Sequence, residues 1–398
     1  MTKRILILMS DTGGGHRASA EALKTAFQER YGSEFQVDIV DLWMKHTPWP
    51  LNQVPKSYRF LAIEAPWLWK RIYKIGERRD VTRPVMRAAS GWVRRPVRKA
   101  IWRYDPDLII AVHPLLQEPT LRILAWMRRR IPFITVITDL ATIHPTWLQR
   151  NVTLCFVPSR EARRCALNAG LRPDQLRQYG LPIRPVFAQE PLPKEMVRQQ
   201  LGLQRDSFTV LLVSGGEGMG PVGDIARAVA QRLSMDNARR GRPVAQLVVI
   251  CGRNRKLCAE LGDEVWPIPT VVNGFVSNMA DWMAASDCVI TKAGPGTIAE
   301  ALARGLPIVL SGYIIGQEEG NVPYVLNNGV GLYSEDPQRI AEIVSGWFGP
   351  KRAEMEEMAR RARILGRPQA AFQIIEEIAK TLSAKPALKI SLPRRPEA

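Results

Sequence analysis

His16 follows three consecutive glycines, Gly13, Gly14 and Gly15, and opens a run with helical spacing: Ala18, Ala20, Leu23, Ala26 and Phe27. Upstream lies an apolar run from Ile5 to Met9. The order is therefore strand, glycine turn, helix. Glycines let the backbone take positive φ and let a ligand come close. A helix start presents free N–H groups and partial positive charge. A histidine there feels that positive end, which disfavours imidazolium and keeps the ring neutral. A neutral imidazole beside an anion site suits general-base work near neutral pH. One glycine turn alone is weak evidence, because such turns are common in nucleotide-binding folds.

Two further glycine turns follow strand-like runs. One is Ser214-Gly215-Gly216-Glu217-Gly218-Met219-Gly220-Pro221 and the other is Lys292-Ala293-Gly294-Pro295-Gly296-Thr297. Such turns, with a helix start behind them, hold a diphosphate without metal. Neither is a P-loop, because no Gly-Lys-Ser/Thr closes the run. Thr297 and Glu300 have the spacing of a capping box. Glu300 is thus either a helix-capping residue or a carboxylate accepting both ribose hydroxyls of a nucleotide. Gly316-Gln317-Glu318-Glu319-Gly320-Asn321 sets two amides and two carboxylates side by side. These groups match sugar hydroxyls; alone, the segment also reads as an exposed turn.

These residues need a scaffold, and the pattern supplies one. Strands are expected at 4–9, 36–41, 108–112, 132–138, 154–157, 208–213, 246–250, 288–291 and 308–310. Helices are expected at 17–30, 119–130, 159–169, 221–234, 297–304, 353–364 and 368–383. Residues 44–65 read as irregular, and 66–103 as basic helix broken near Pro84 and Pro96. Strands separated by helices imply parallel α/β sheets. Pro182, Pro185, Pro191 and Pro193 mark a linker, giving two α/β halves. Ligands of parallel sheets bind at the carboxyl ends of strands. His16, His113 and Asp139 all follow strands. The expected division is 1–187, 188–365, a final helix 366–383, and a disordered tail 384–398.

The chain has 398 residues, 46% of them hydrophobic, enough for two ordinary cores. No apolar stretch is long enough for a transmembrane helix. The N-terminus reads as free of signal or transit peptide. Five scattered cysteines without a CxxC pair suit a reducing compartment and suggest no zinc site. A net charge of +18 asks for a polyanionic partner. Between Pro66 and Tyr104 there are twelve Lys/Arg against two acids, interleaved with Trp67, Trp69, Trp92 and Trp102. Tryptophan favours the bilayer interface. The segment reads as an anionic-membrane contact; the plainer alternative is a solvated basic face with its tryptophans in the core. No nucleic-acid module is visible.

Together the motifs resemble the monogalactosyldiacylglycerol synthases, inverting glycosyltransferases of family 28 with the GT-B fold. The resemblance runs over roughly residues 4–350. Its segments are Met9 to Ala22, Trp49 to Pro55, His144-Pro145-Thr146-Trp147, Gly215 to Pro221, Ile250 to Asn254, Lys292 to Glu300, and Gly316 to Tyr324. A more distant relative is the enzyme that adds N-acetylglucosamine to lipid I.

The resemblance implies an α/β architecture of two Rossmann-like domains facing a cleft, with the last helix crossing back to the first domain. It implies UDP-galactose as donor, diacylglycerol as acceptor and a β-linked product. His16 looks like the general base, with Asp139 orienting or replacing it and His144 as a further rival. Gly14, Gly15, Gly215, Gly216, Arg253, Gly294, Gly296, Thr297 and Asn321 fall in the donor loops. Phe275 and Val276 look like the uracil neighbours, Glu300 the ribose ligand, and Gln317 and Glu318 the hexose ligands. Pro50, His113, Arg122 and Trp147 match positions tied to acceptor or anionic-lipid contact. No metal or other cofactor is expected. The expected partners are the donor, diacylglycerol and an anionic lipid such as phosphatidylglycerol. The expected place is the cytoplasmic side of a membrane, in a bacterial protein without a plastid extension. Two alternatives remain: a UDP-glucose-dependent diacylglycerol transferase, and a non-catalytic membrane-binding module of the same shape.

Overall fold

The computed structural model describes residues 2–10, 14–53, 57, 61, 64–240 and 245–383. Asp11 to Gly13, part of the 49–55 motif and the expected tail 384–398 lie outside the described residues. The chain divides into two compact units. The first comprises Met1–Pro185, Ile315–Gln317 and Gln369–Ala398, and the second Val186–Ile314 and Glu318–Pro368.

The first unit carries a six-stranded parallel sheet, ordered β2-β1-β3-β4-β5-β6. Its strands are β1 (Lys3–Met9), β2 (Phe35–Asp41), β3 (Leu108–Ala111), β4 (Phe133–Val136), β5 (Leu154–Val157) and β6 (Leu176–Gln178). Central strands are apolar on both faces, as a sheet covered on two sides requires. Ile5, Ile7 and Met9 pack with Leu23 and Phe27 of the helix Gly15–Tyr31. Leu6 and Leu8 pack on the opposite face with Val97, Ile101, Ile123 and Leu124. The last helix, Ala370–Ser383, buries Ala371, Ile374, Ile375 and Ile378 in the same core as Ile5 and Ile7. Arg30–Glu376 and Arg177–Glu377 ion pairs fasten its polar side at 2.8 and 2.7 Å. The helix that ends the described chain therefore belongs to the unit that begins it.

The second unit repeats the plan, with parallel order β12-β11-β10-β7-β8-β9. Its strands are β7 (Phe208–Val213), β8 (Ala245–Ile250), β9 (Thr270–Asn273), β10 (Cys288–Thr291), β11 (Ile308–Leu310) and β12 (Gly331–Tyr333). Two parallel sheets flanked by helices are the expected α/β fold class.

Four differences from the sequence reading have physical causes. The basic stretch is three helices, Pro66–Glu77, Arg79–Trp92 and Arg94–Tyr104, and its breaks fall at Arg78 and Val93. Pro84 lies inside the second helix. Pro96 lies in the first turn of the third, where its missing N–H would have had no partner anyway. The linker region carries a short helix, Lys194–Gln200. The edge strands β6, β9 and β12 lie outside the expected elements: they are three or four residues long and largely half-buried, too short to show a period. The helix Pro337–Phe348 also lies outside the expected elements, although its start signals are local. Asp336 caps it, accepting from Gln338 N at 3.0 Å, and Pro337 opens it.

Candidate active site

In the first unit the carboxyl ends of the strands gather a buried polar cluster. Gly14 is the N-cap of the helix Gly15–Tyr31, at φ +78°, and a Cβ there would meet nothing within 4 Å. The helix start is thus open in front, and His16 stands in its first turn. His16 is 6% exposed, and its Nδ1 lies 2.8 Å from Thr138 Oγ1. Its ring stands edge-on to His113, with centroids 4.6 Å apart, and 6.0 Å from the Trp147 ring. Trp147 is fully buried, and its indole N–H donates to Asp139 Oδ2 at 2.5 Å. Asp139 itself is buried. His16, His113, Asp139 and Trp147, all named from sequence, therefore meet. Thr138, which touches the His16 ring, was not named; its signal was its place beside Asp139 at a strand end.

Burial pushes His16 down to about 4, and a hydrogen bond with the Val112 backbone works the other way. The ring is neutral, as expected, but the leading cause is desolvation and not the helix end. Burial and the neighbouring His16 also lower His113 well below the ordinary imidazole value. His113 Nδ1 accepts from Leu115 N at 3.3 Å. His113 and Trp147, expected at acceptor or anionic-lipid contacts, are both buried, with their rings beside that of His16. His144 caps the turn Pro145–Trp147: Thr146 N donates to its Nδ1 at 3.3 Å, and Thr146 Oγ1 lies 2.7 Å from the same nitrogen. Burial lowers its pKa to about 4 as well. It positions the turn that carries Trp147.

Arg122 is paired with Glu118 at 2.8 Å one helical turn away. It lines a separate cavity of about 300 Å³ with Arg87, Thr146 and Arg150. Pro50 is exposed beside Trp49, itself 75% exposed.

In the second unit the turns after β7 and β10 converge. Gly215, at φ +66°, favours glycine and packs closely: a Cβ there would lie 3.2 Å from Lys292 Cε, closer than an ordinary contact. A Cβ on Gly294 would lie 3.2 Å from Lys292 Nζ and 3.7 Å from Glu318 Oε1. Lys292 forms an ion pair with Glu318, whose other oxygen accepts from Ile314 N at 2.9 Å. Glu318 is 4% exposed, and so it faces Lys292 where the sequence suggested an exposed turn. Lys292, absent from the expected ligands, puts a cation between two glycine turns at adjacent strand ends. Asn321 Nδ2 donates to Ala293 O at 2.8 Å, while its buried Oδ1 has no partner. Gln317 is half-buried.

The helix after β10 begins at Pro295 with Gly294 as N-cap and no side-chain cap. Thr297 therefore lies inside the first turn and not at the cap. The expected Thr297–Glu300 capping box does not form, because the helix starts two residues earlier. Glu300 is half-buried in the second turn. Gly296 has open space where a Cβ would stand. Across the sheet, Phe275 is 60% exposed, with the Arg253 guanidinium 4.8 Å over its ring. Arg253 also donates to Glu217 at 3.0 Å and, through its backbone N–H, to Gly216 O at 2.8 Å. Val276 beside it is half-buried. Among the described residues no three His, Cys, Asp or Glu side chains gather where an ion could be held.

The family model for monogalactosyldiacylglycerol (MGDG) synthase matches residues 16–183, and that for the glycosyltransferase family 28 C-terminal domain matches 210–361. The monogalactosyldiacylglycerol synthase of Spinacia oleracea, described as chloroplastic, is 50% identical over 385 residues, which is 96% of this chain and 73% of that protein. The monogalactosyldiacylglycerol synthase 1 of Arabidopsis thaliana is 49% identical over 388 residues, 97% of this chain and 72% of that one. Among solved structures, MurG of Acinetobacter baumannii matches with TM-score 0.59 at 16% identity, covering 95% of this chain and 99% of that one. HepE of Anabaena, solved in complex with UDP, matches with TM-score 0.52 at 17% identity, covering 96% and 100%. At such identity the two structures speak for the GT-B fold alone. By its sequence kinship over nearly its whole length, the chain belongs to the monogalactosyldiacylglycerol synthase family.

Proposed function

We propose that the chain is a glycosyltransferase that moves galactose from UDP-galactose to the sn-3 hydroxyl of 1,2-diacylglycerol, giving the β-linked galactolipid. The observation that carries this is the 50% identity with a monogalactosyldiacylglycerol synthase across 96% of the chain. The buried, neutral His16 supports it chemically. A neutral imidazole accepts the proton of the attacking hydroxyl, whose oxygen bonds to the anomeric carbon as the bond to the UDP oxygen breaks, a single displacement that inverts α to β. The diphosphate leaves toward Lys292 and the helix start at Gly294, preorganised positive charge aimed at developing negative charge. A non-catalytic module would gain nothing from burying an imidazole at such cost. Diacylglycerol vesicles incubated with each labelled UDP-hexose test the donor. Galactose transfer well above glucose transfer is expected, and the reverse result establishes the glucosyltransferase alternative.

Glu300 binds the ribose in this reading. Glu300→Ala weakens UDP binding about tenfold, in line with roughly 1.5 kcal/mol for a hydrogen bond to a charged group, and leaves the melting temperature nearly unchanged. Calorimetric titration with UDP measures it. A drop in melting temperature with unchanged affinity assigns Glu300 a structural role.

Donor binding needs no divalent metal, because Lys292 and helix N–H groups supply the positive charge. UDP affinity is expected to be the same in chelator and in magnesium or manganese. Affinity lost in chelator and restored by either ion overturns this.

The first unit docks on anionic membrane. No helix among the described residues is long and apolar enough to cross a membrane. Trp67, Trp92 and Trp102 are 64%, 55% and 60% exposed, so three of the four tryptophans of the basic segment lie outside the core. Each basic residue near an anionic leaflet adds roughly 1 kcal/mol. Salt screens that attraction over about 8 Å but leaves ring burial intact. Replacing Arg94, Arg95, Arg98 and Lys99 with serine should weaken binding to phosphatidylglycerol-containing vesicles and slow turnover on them, with UDP affinity unchanged. Undiminished vesicle binding places the docking surface elsewhere.

A further inference from the structure

We propose that a recess between the helices Arg94–Tyr104 and Gln117–Met127 is a binding site for the phosphodiester headgroup of an anionic glycerophospholipid at a bilayer surface. The proposal rests on the membrane-docking reading and narrows it to one place. The recess has a volume of about 250 Å³ and is lined by Arg94, Arg98, Trp102, Ile123, Trp126 and Met127. At about 30 Å³ per water it has room for roughly eight waters, enough for a phosphodiester with its glycerol.

Arg94, Arg98 and Trp102 follow one another at a spacing of four residues, so they share one helix face. The Arg94 guanidinium lies 5.0 Å over the Trp126 ring, which ties the two walls together. Trp102 carries the Arg129 guanidinium at 5.0 Å on its ring. Nearby arginines already have carboxylates: Arg129 has Asp105 at 2.8 Å, and Arg122 has Glu118. Arg94 and Arg98 have no carboxylate partner among the described residues. Two planar forks at one mouth, both open, match phosphate oxygens bidentately.

The rest of the recess specifies a lipid. Trp126 is 43% exposed and Trp102 60%, so both indoles stand at the rim with one edge in water. That is where a bilayer places tryptophan. Ile123 is fully buried and forms an apolar floor, suited to the glycerol and first acyl carbons and unsuited to a hydrated inorganic ion.

The test uses the full chain and charge-preserving variants. Arg94→Lys with Arg98→Lys keeps the net charge, and hence the long-range attraction, but removes both forks. Arg95→Lys with Arg103→Lys, on the same helix and outside the recess, is the control. Binding is measured by co-flotation with phosphatidylcholine vesicles and with phosphatidylcholine vesicles containing phosphatidylglycerol. The parent and control should prefer the anionic vesicles, and the recess variant should lose about tenfold of that preference, the size expected for charge-assisted hydrogen bonds of roughly 1.5 kcal/mol. Binding to phosphatidylcholine alone should not change. Soluble dihexanoyl phosphatidylglycerol should quench the tryptophan fluorescence of the parent and not of the recess variant, while inorganic phosphate should not.

If the recess variant prefers anionic vesicles as the parent does, the recess holds no headgroup while membrane docking stands. If the parent shows no preference, the docking reading fails and the site with it. Quenching by phosphate equal to that by the lipid makes it a free-anion site. Loss of oligonucleotide binding in the recess variant, with vesicle binding intact, makes it a nucleic-acid contact.

Discussion

Replacing His16 with alanine lowers kcat by about 10²- to 10⁴-fold, the usual contribution of a general base, and leaves UDP affinity unchanged. The residue is 6% exposed, touches Thr138 and stands edge-on to His113, so nothing in water substitutes for it. Its pKa of about 4 adds a second expectation. The acid limb of kcat/KM, which reports the free enzyme, lies near pH 4 and not at the ordinary imidazole value of 6.5. The same shift acts on stability. Between pH 6.5 and about 4 the unfolded chain protonates this ring and the folded chain does not, so stability is complete above 6.5 and falls as the pH drops toward 4. His144, also near 4, adds to the loss. Circular dichroism over that interval separates unfolding from catalytic titration. Near-normal turnover in His16→Ala removes the residue from the mechanism.

Lys292→Met weakens UDP binding by about 10- to 100-fold while uridine binding stays level, since charge-assisted hydrogen bonds contribute roughly 1.5–3 kcal/mol. The side chain lies between the Gly215 and Gly294 turns, where a diphosphate is expected. The substitution also strands the buried Glu318 carboxylate, and breaking such a pair costs about 3–5 kcal/mol of stability. The double change Lys292→Met with Glu318→Gln removes that stranded charge. It should recover the melting temperature and not the UDP affinity. Titration calorimetry with UDP and uridine decides: UDP affinity restored in the double variant assigns Lys292 a structural role only.

What could be read from sequence follows from how local each signal is. The strands of both sheet centres are continuous apolar runs, and β1, β5, β7 and β10 were legible to within a residue or two. The edge strand β9 is half-buried throughout and gave no such run. His16, His113 and Asp139 were legible as strand-end residues, because parallel sheets place function there. Their meeting around Trp147 was not, since a buried indole that donates to Asp139 is a contact between residues with no periodic mark. Thr138 and Lys292 escaped for the same reason: the groups that give each its place, the His16 ring for one and the Gly215 turn and Glu318 for the other, are brought near only by folding. The capping-box reading of Glu300 failed on a two-residue shift of the helix start, the kind of boundary that local spacing fixes least well.

The central claim is a single displacement that transfers galactose onto diacylglycerol, and the anomeric configuration of the product tests it most directly. Purified protein is incubated with UDP-galactose and diacylglycerol vesicles, and the lipid product is analysed by proton NMR for its linkage and number of sugars. One galactose in β linkage on the sn-3 oxygen, absent with His16→Ala, is the expected result. An α-linked galactose, or no galactolipid from a folded protein that binds UDP, contradicts the account.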